Sequence, residues 1–160
     1  MGAADAEGAS ALEAACFEDA GHEAWTPGMF LSELGEDVAA PRSWWVAHDD
    51  GQLLGLAGGM VVDGDVQILD VAVDPKHRRE GIARKLLSHV SYDAQMLGCT
   101  TASLEVEDGN EGAIALYASL ALPSGPPPWL LRCWQRRHRH DGAAALGAPG
   151  RQCFARADGG

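Results

Sequence analysis

The residues best placed for chemistry stand in a short basic turn. An apolar run at residues 68–73 is followed by the spacing Arg78-x-x-Gly81-x-Ala83, at which an amphipathic helical pattern begins. Unpaired N–H groups at a helix start and the helix dipole attract negative charge, and small residues let a ligand approach the main chain. The spacing matches neither a P-loop nor the G-x-G-x-x-G fingerprint. The turn therefore predicts a pyrophosphate site, with a solvated surface loop as the alternative.

A carboxylate, an amide and a phenol follow downstream. Glu105 lies on a predicted strand, Asn110 comes five residues later, and Tyr117 comes twelve residues after Glu105 on a predicted helix. A group-transfer reaction that moves protons needs one group that accepts a proton and another that donates one. A carboxylate and a phenol suit these tasks. Taken alone, Glu105 is more typical of a solvent-facing strand and Tyr117 of a helix core, so the hypothesis depends on their joint spacing.

The elements that would position these residues follow from the hydrophobic periodicity. Helices are predicted at residues 10–17, 27–34, 82–97 and 110–120, with Thr26 capping the second and Gly98 ending the third. Strands are predicted at residues 43–48, 52–62, 66–73 and 100–106. The Gly58-Gly59 pair predicts a bend or a close backbone approach. The order α-α-β-β-β-α-β-α indicates an α/β fold with a mixed sheet flanked by helices.

These motifs resemble the GNAT acetyltransferases, and within them the ribosomal-protein alanine N-acetyltransferases of the RimI type. The basic turn is similar to their acetyl-CoA signature, Q/R-x-x-G-x-G/A. Residues 104–117 resemble their pattern LEV-x-x-x-N-x-x-A-x-x-LY. With further matches at residues 15–17, 32–34 and 45–47, the resemblance extends over residues 10–120.

The resemblance implies a GNAT (acyl-CoA N-acyltransferase) fold and an acetyl-CoA-dependent N-acetyltransferase. The implied substrate is the N-terminal alanine, or a similar small residue, of a small-subunit ribosomal protein. The implied general base, acting through water, is Glu105, and the implied general acid toward the CoA sulfur is Tyr117. The residues implied at the acetyl-CoA site are Val71, Ala72, Val73, Arg78, Arg79, Glu80, Gly81, Ile82, Ala83, Arg84 and Asn110. A catalytically impaired acetyl-CoA-binding module and a small-amine acetyltransferase remain open as alternatives.

Charge and composition narrow the possible partners. Residues 1–131 hold 21 acidic and 6 basic side chains, whereas residues 132–160 hold 2 acidic and 6 basic ones. The acidic body argues against nucleic acid as the main partner. It suits a basic protein N-terminus as substrate, with a surface that only promotes solubility as the alternative. No apolar run could span a bilayer, no signal peptide is recognisable, and the four scattered cysteines lack metal-ligand spacing. We therefore expect a cytoplasmic protein with no metal and no membrane partner; its oligomeric state has no signal in the sequence.

The chain divides near residue 122. Residues 1–122 form the predicted GNAT domain, and residues 123–160 form an atypical basic tail in which neither Val nor Ile occurs from Arg132 onward. Such a composition predicts disorder where the family has two C-terminal strands. A frameshift in the gene near residues 120–126 is our hypothesis for this ending. Loss of those strands predicts retained acetyl-CoA binding with weak or lost peptide acetylation.

Overall fold

The structure is a computed structural model that describes residues 1–17, 24–35, 38–107, 110–120 and 133–137. Its helices are α1 (Ala6–Phe17), α2 (Pro27–Glu33), α3 (Ile82–Met96) and α4 (Glu111–Leu120). Its strands are β1 (Arg42–Asp49), β2 (Gln52–Val62), β3 (Asp65–Val73), β4 (Thr101–Glu107) and β5 (Cys133–Arg137). The element order predicted from the sequence is confirmed as far as α4.

The strands form one mixed sheet in the order β1-β2-β3-β4-β5. The first three strands are antiparallel and connected by hairpins, whereas β4 runs parallel to β3 and β5 runs parallel to β4. Both hairpin turns have left-handed central residues, at Asp50-Gly51 and Asp63-Gly64, which match the twist of antiparallel strands. The predicted α/β fold with a mixed sheet is therefore confirmed.

Helices cover both faces of this sheet. Leu56 on β2 belongs to an apolar cluster with Leu12 of α1 and Phe30 of α2. Its neighbour Ala57 belongs to a second cluster with Val90 of α3. Because adjacent residues of a strand point to opposite faces, α1 and α2 lie on one side of the sheet and α3 lies on the other.

A glycine lets one aromatic ring lie flat against β2. Gly58 stands opposite Trp44 in the β1–β2 pair, and a Cβ atom at Gly58 would come within 2.4 Å of the Trp44 ring. The Trp44 ring in turn packs edge-on against Phe30 of α2, with ring centroids 5.4 Å apart. The close approach predicted from the Gly58-Gly59 pair is confirmed, and it seats α2 on the sheet.

A β-bulge changes which residues of β3 face which helices. Ile68 and Asp70 oppose consecutive residues of β2, so Leu69 between them has no opposite partner. Val66 belongs to the cluster under α3, whereas Ala72 belongs to the cluster under α1. In a regular strand these even-numbered residues would share a face. The extra residue therefore turns Ala72, and with it Asp70, toward α1.

The tail contributes one strand that its composition does not predict. Cys133–Arg137 pairs with β4 from Ser103 to Glu107. These five residues form a strand that the composition of the tail does not predict, and the expectation of disorder for the tail as a whole stays a prediction. A strand edge offers main-chain donors and acceptors to any extended segment, and that pairing requires no apolar side chain. The other residues of the predicted tail, 123–132 and 138–160, lie outside the described residues.

Candidate active site

The candidate site begins where β3 and β4 separate. The two strands pair only from Asp65 opposite Thr101 to Gln67 opposite Ser103. Beyond this point β3 stays paired with β2 as far as Val73. The edge of β3 that faces away from β2 therefore opens onto a cleft between the C-terminal halves of β3 and β4.

The main chain of β3 presents alternate residues to this cleft. The N–H of Asp74 donates to the carbonyl of Leu54 on β2 at 2.9 Å. Since the hydrogen-bonding groups of a strand alternate in direction, Ala72 directs its main-chain groups to β2, whereas Val71 and Val73 direct theirs to the cleft. Of the three β3 residues implied at the acetyl-CoA site, Val71 and Val73 are placed to offer main-chain groups. Ala72 is turned away, and its side chain is buried under α1.

The carbonyl of Val73 already has partners within the chain. The Cys16 thiol on α1 donates to it at 3.2 Å, and Arg78 Nε donates to it at 3.5 Å. Burial raises the pKa of the Cys16 thiol, so the thiol keeps its proton and can act as this donor. A ligand at Val73 would therefore compete with Cys16 for the carbonyl or bind through the N–H.

The basic turn joins the cleft to the start of α3. Its main chain is left-handed at Arg79, with φ 70°, and at Gly81, with φ 82°. Gly81 is the N-cap of α3 and supplies no side-chain cap. A Cβ atom at Gly81 would meet nothing within 4 Å, so the backbone conformation is what requires glycine there. The first N–H groups of α3, from Ile82 and Ala83 onward, consequently point to a site that no N-cap side chain fills.

Positive charge is concentrated at this turn. Of the six basic side chains in residues 1–131, five lie within residues 76–85: Lys76, Arg78, Arg79, Arg84 and Lys85. The Arg84 guanidinium donates to Ser119 Oγ on α4 at 2.7 Å, so this residue also links two helices. Glu80 lies 3.4 Å from His77 Nδ1. The charge, the uncapped helix start and the open space together fit a polyanion such as a pyrophosphate.

Asn110 has a structural task in addition to the implied ligand role. Its Oδ1 accepts the N–H of Ala113 at 3.0 Å, and its carbonyl accepts the N–H of Ile114 at 2.9 Å. The Asn110 side chain therefore caps the start of α4. With Oδ1 used in this way, the amide NH₂ is the part that can donate to a ligand.

The Glu105 side chain on β4 and the Tyr117 side chain on α4 lie on opposite sides of the sheet at β4. The Glu105 side chain is exposed, whereas the flanking Leu104 and Val106 are buried. Tyr117 on α4 belongs to the same apolar cluster as Leu104 and Val106. The two residues that the resemblance implies as base and acid thus lie on neighbouring elements, one in solvent and the other 8% exposed.

Burial keeps the Tyr117 phenol protonated. Desolvation, together with the nearby negative charge of Asp70, raises the pKa of Tyr117 to about 12. A phenol that holds its proton so firmly is a donor across the whole physiological pH range. The implied acid therefore still carries its proton when the thiolate leaves, while the same shift makes the phenol a weaker donor than an ordinary tyrosine.

Asp70 is the residue that sequence reasoning missed. Its side chain is 9% exposed, and its Oδ2 is buried without a hydrogen-bond partner among the described residues. Burial, followed by the negative charge of Glu13, raises the pKa of Asp70 to about 7. The available signal was a single acidic residue within the otherwise apolar run at residues 68–73.

The described part of the chain offers neither a metal site nor a membrane-spanning helix. Among those residues, no group of three or more His, Cys, Asp and Glu side chains is arranged to hold a metal ion. None of the helices described there is both long enough and apolar enough to cross a bilayer.

Comparison with known proteins gives a consistent result. The model of the Acetyltransferase (GNAT) family matches residues 7–121. The ribosomal protein bS18-alanine N-acetyltransferase of Escherichia coli (strain K12) is 33% identical over 96 residues, which cover 60% of this chain and 62% of that protein. The chain thus matches less than two thirds of this relative's length.

Solved structures show the same fold. The crystal structure of the ribosomal-protein-S18-alanine N-acetyltransferase from Escherichia coli superposes with a TM-score of 0.62 at 29% identity, covering 75% of this chain and 72% of that one. The PaiA N-acetyltransferase of Thermoplasma acidophilum, solved in complex with coenzyme A, superposes with a TM-score of 0.66 over 74% of this chain and 83% of that one. The second is only 15% identical and bears on the fold alone.

Proposed function

This chain belongs to the GNAT acetyltransferase family, and on that premise we propose that it transfers the acetyl group of acetyl-CoA to a protein N-terminus. The acceptor is the α-amine of an N-terminal alanine, or a similar small residue, of a small-subunit ribosomal protein. The observation that carries the proposal is the cleft between β3 and β4, which continues directly into the basic, uncapped start of α3. The similarity to the bS18-alanine N-acetyltransferase supports the choice of acceptor.

The acetyl-CoA half of the site combines main-chain and charged groups. When bound, acetyl-CoA supplies the acetyl group as a thioester. Val71 and Val73 bind the acetyl and pantetheine parts through main-chain groups that face the cleft. Gly81, Ile82 and Ala83 hold the pyrophosphate through N–H groups at the start of α3. Arg78, Arg79 and Arg84 attract the phosphates through their positive charge. Asn110 binds through its amide NH₂.

Two side chains carry the proton transfers. Glu105 accepts the proton of the attacking amine through water, which suits its exposed position on β4. Tyr117 donates its proton to the sulfur as the thiolate leaves, because its raised pKa keeps the phenol protonated until then. The proton lost by the amine and the proton gained by the sulfur balance over the reaction.

The acidic body favours a basic acceptor peptide. Residues 1–131 carry 21 acidic side chains, and all but one of their six basic residues lie at residues 76–85. Away from the turn, a positively charged N-terminus therefore meets a negative field that raises its local concentration. Such steering makes a basic ribosomal protein a better acceptor than an acidic protein.

A second candidate is a module that binds acetyl-CoA but transfers it poorly. The observation that favours it concerns the described residues, in which β5 is the one strand beyond β4, where the resemblance implies two strands that form a wall of the peptide site. Glu105→Gln and Tyr117→Phe separate the candidates. An enzyme loses transfer in both variants and keeps acetyl-CoA binding, whereas a binding module has no transfer to lose.

The first experiment is mass spectrometry of an Ala-starting, arginine-rich peptide incubated with acetyl-CoA and the full chain. The same peptide with a blocked N-terminus is the matched control. We expect a single acetyl group on the free N-terminus and none on the control. No transfer, with acetyl-CoA still raising the melting temperature, would refute the enzyme and support the binding module.

A further inference from the structure

A side-chain hydrogen bond joins the start of α3 to the helix that carries Tyr117. Arg84 lies in the first turn of α3, whose free N–H groups face the proposed pyrophosphate position. Its guanidinium nitrogen Nη2 donates to Ser119 Oγ on α4 at 2.7 Å. The two residues are 35 positions apart in sequence, so this bond is a tertiary link between the two helices.

The Ser119 hydroxyl is held in one orientation by its own helix. It donates to the carbonyl of Leu116 at 2.6 Å, so its proton is used and its lone pairs remain to accept from Arg84. Leu116 directly precedes Tyr117, and Ser119 follows Tyr117 by two residues. The link from Arg84 therefore attaches to α4 at the turn that carries the phenol.

This link complements the apolar packing of α4. Tyr117 and Leu120 are 8% and 1% exposed and belong to the same apolar cluster as Leu86 of α3. The hydrophobic effect that drives such packing is non-directional, whereas a hydrogen bond has a preferred length and direction. The bond between Arg84 and Ser119 therefore defines where α4 lies relative to the start of α3.

Arg84 has donors left for a second partner. A guanidinium carries several N–H donors in a planar fork and stays charged in proteins. Within the described part of the chain, the recorded hydrogen bond of this side chain goes to the neutral hydroxyl of Ser119, and Arg84 forms no ion pair with a carboxylate there. A half-buried guanidinium with a neutral partner can bind a phosphate through its remaining N–H groups and keep its bond to Ser119.

We infer that Ser119 is a positioning residue for the transfer, which couples occupation of the pyrophosphate site to the position of Tyr117 through Arg84. One guanidinium binds the pyrophosphate and Ser119 together, so a bound cofactor fixes α4 and places the phenol beside the departing sulfur. Binding energy from a remote part of the substrate is thereby used to orient the acid. The inference rests on the proposed function, which supplies the cofactor and the role of Tyr117.

Tyrosine labelling tests the coupling without turnover. The probe is ADP, which has a pyrophosphate but no pantetheine arm that could contact Tyr117. The chain has two tyrosines, so Tyr92→Phe identifies the Tyr117 signal in protein labelled with 13Cζ-tyrosine. The main-chain amide signals of Ile82 and Ala83 report binding at the turn. Saturating ADP should move the Tyr117 signal in the native protein.

Variants at two serines separate the coupling from a general effect of a lost hydroxyl. Ser119→Ala should still bind ADP at the turn but lose the movement of the Tyr117 signal. Ser119→Thr should keep it, because a helical threonine can bond the carbonyl three or four residues before it. Ser88→Ala is the matched control: the Ser88 hydroxyl also donates to a helix carbonyl, that of Arg84 at 2.8 Å, but this bond lies within α3. It should behave as the native protein does.

Kinetics then test the role in transfer. Acetyl-pantetheine has the same thioester as acetyl-CoA but no pyrophosphate. In the native protein, kcat with acetyl-CoA should exceed kcat with acetyl-pantetheine by about tenfold. Ser119→Ala should lower kcat with acetyl-CoA by about tenfold, keep the KM for acetyl-CoA within about twofold and leave kcat with acetyl-pantetheine unchanged. Ser119→Thr should restore kcat with acetyl-CoA.

The outcomes separate the two proposals. The inference is overturned if ADP does not bind at Ile82 and Ala83, if it leaves the Tyr117 signal unmoved, or if it moves that signal equally in Ser119→Ala. An unchanged kcat in Ser119→Ala also overturns it, and so does an equal loss with both thioesters, which would indicate a merely structural role. Coupling in a labelled protein that transfers nothing refutes the proposed function and supports the link through Ser119.

Discussion

At the scale of single residues, the site depends on groups whose surroundings oppose their ordinary chemistry. Asp70 is an acid in a buried position beside another acid, and Tyr117 is a phenol buried in an apolar cluster. Arg79 is a residue other than glycine at a left-handed backbone position. Each of these arrangements costs folding free energy, which is expected where function constrains the residue.

The first prediction concerns Asp70 and pH. Its pKa is raised in the folded state from 3.8 to about 7, so the contribution of protonated Asp70 to stability is complete below about pH 4 and is lost as pH rises from about 4 to about 7. Asp70→Asn removes this loss and should raise the free energy of unfolding at pH 8 by up to about 4 kcal/mol. Urea denaturation at pH 4 and pH 8 measures it. A gain that is equal at both pH values would contradict the ionisation of Asp70.

The second prediction separates charge from backbone strain at Arg79. Arg79→Ala and Arg79→Gly remove the same positive charge, but only glycine adopts a φ of 70° without penalty. Both variants should weaken acetyl-CoA binding equally in calorimetry. Arg79→Gly should be the more stable of the two by about 1 kcal/mol. Unequal affinities would show that the turn's conformation, and not its charge, limits binding.

At the scale of elements, the site depends on how β2 and β3 are shaped. The bulge at Leu69 turns Asp70 toward α1, and the early end of β3–β4 pairing opens the cleft. Gly58 lets the Trp44 ring lie on β2 beneath α2. These features hold the loops of the site to a rigid sheet.

The third prediction tests the packing at Gly58. Gly58→Ala places a methyl group 2.4 Å from the Trp44 ring, so the ring must move and the protein should lose about 1–3 kcal/mol. Gly8→Ala is the matched control, because the nearest atom to its new Cβ is 3.8 Å away and it lies in α1. It should gain about 0.5–1 kcal/mol. Thermal melting of both variants measures these changes in stability. Equal destabilisation of the two would contradict the packing argument.

At the scale of the whole molecule, charge is divided between an acidic body and one basic turn. Residues 1–131 have an excess of acidic side chains. Five basic residues within 76–85 can nevertheless bind a polyanion. Acetyl-CoA and a basic peptide are therefore expected to be attracted to different parts of one surface. Long-range attraction of this kind is screened by salt.

The fourth prediction follows from this division. Raising ionic strength from 0.01 to 0.15 M, which shortens the screening length from about 30 to about 8 Å, should raise the KM of an Ala-starting, arginine-rich peptide severalfold. A peptide of equal length with Glu in place of Arg should show a higher KM at low salt and the opposite trend. Steady-state kinetics measure both. Identical salt dependence of the two peptides would contradict electrostatic steering.

The sequence by itself determined the elements and the family. Turn residues such as Gly51 and Gly98, the N-cap Thr26 and the helical period of α3 act over a few residues, so their structural consequences can be read locally. The basic turn is likewise contiguous in sequence. The prediction of the mixed sheet was confirmed for this reason, and the phosphate-binding role of the turn stays a prediction.

Only the tertiary structure decided which side chains meet. The bulge at Leu69 reverses the facing of β3, and the charge of Asp70 interacts with that of Glu13, 57 residues away in sequence, and raises the pKa of Tyr117, 47 residues away. Likewise β5 pairs with β4 through main-chain groups that composition does not reveal. Burial and electrostatic coupling arise from such long-range contacts, and local sequence patterns do not encode them.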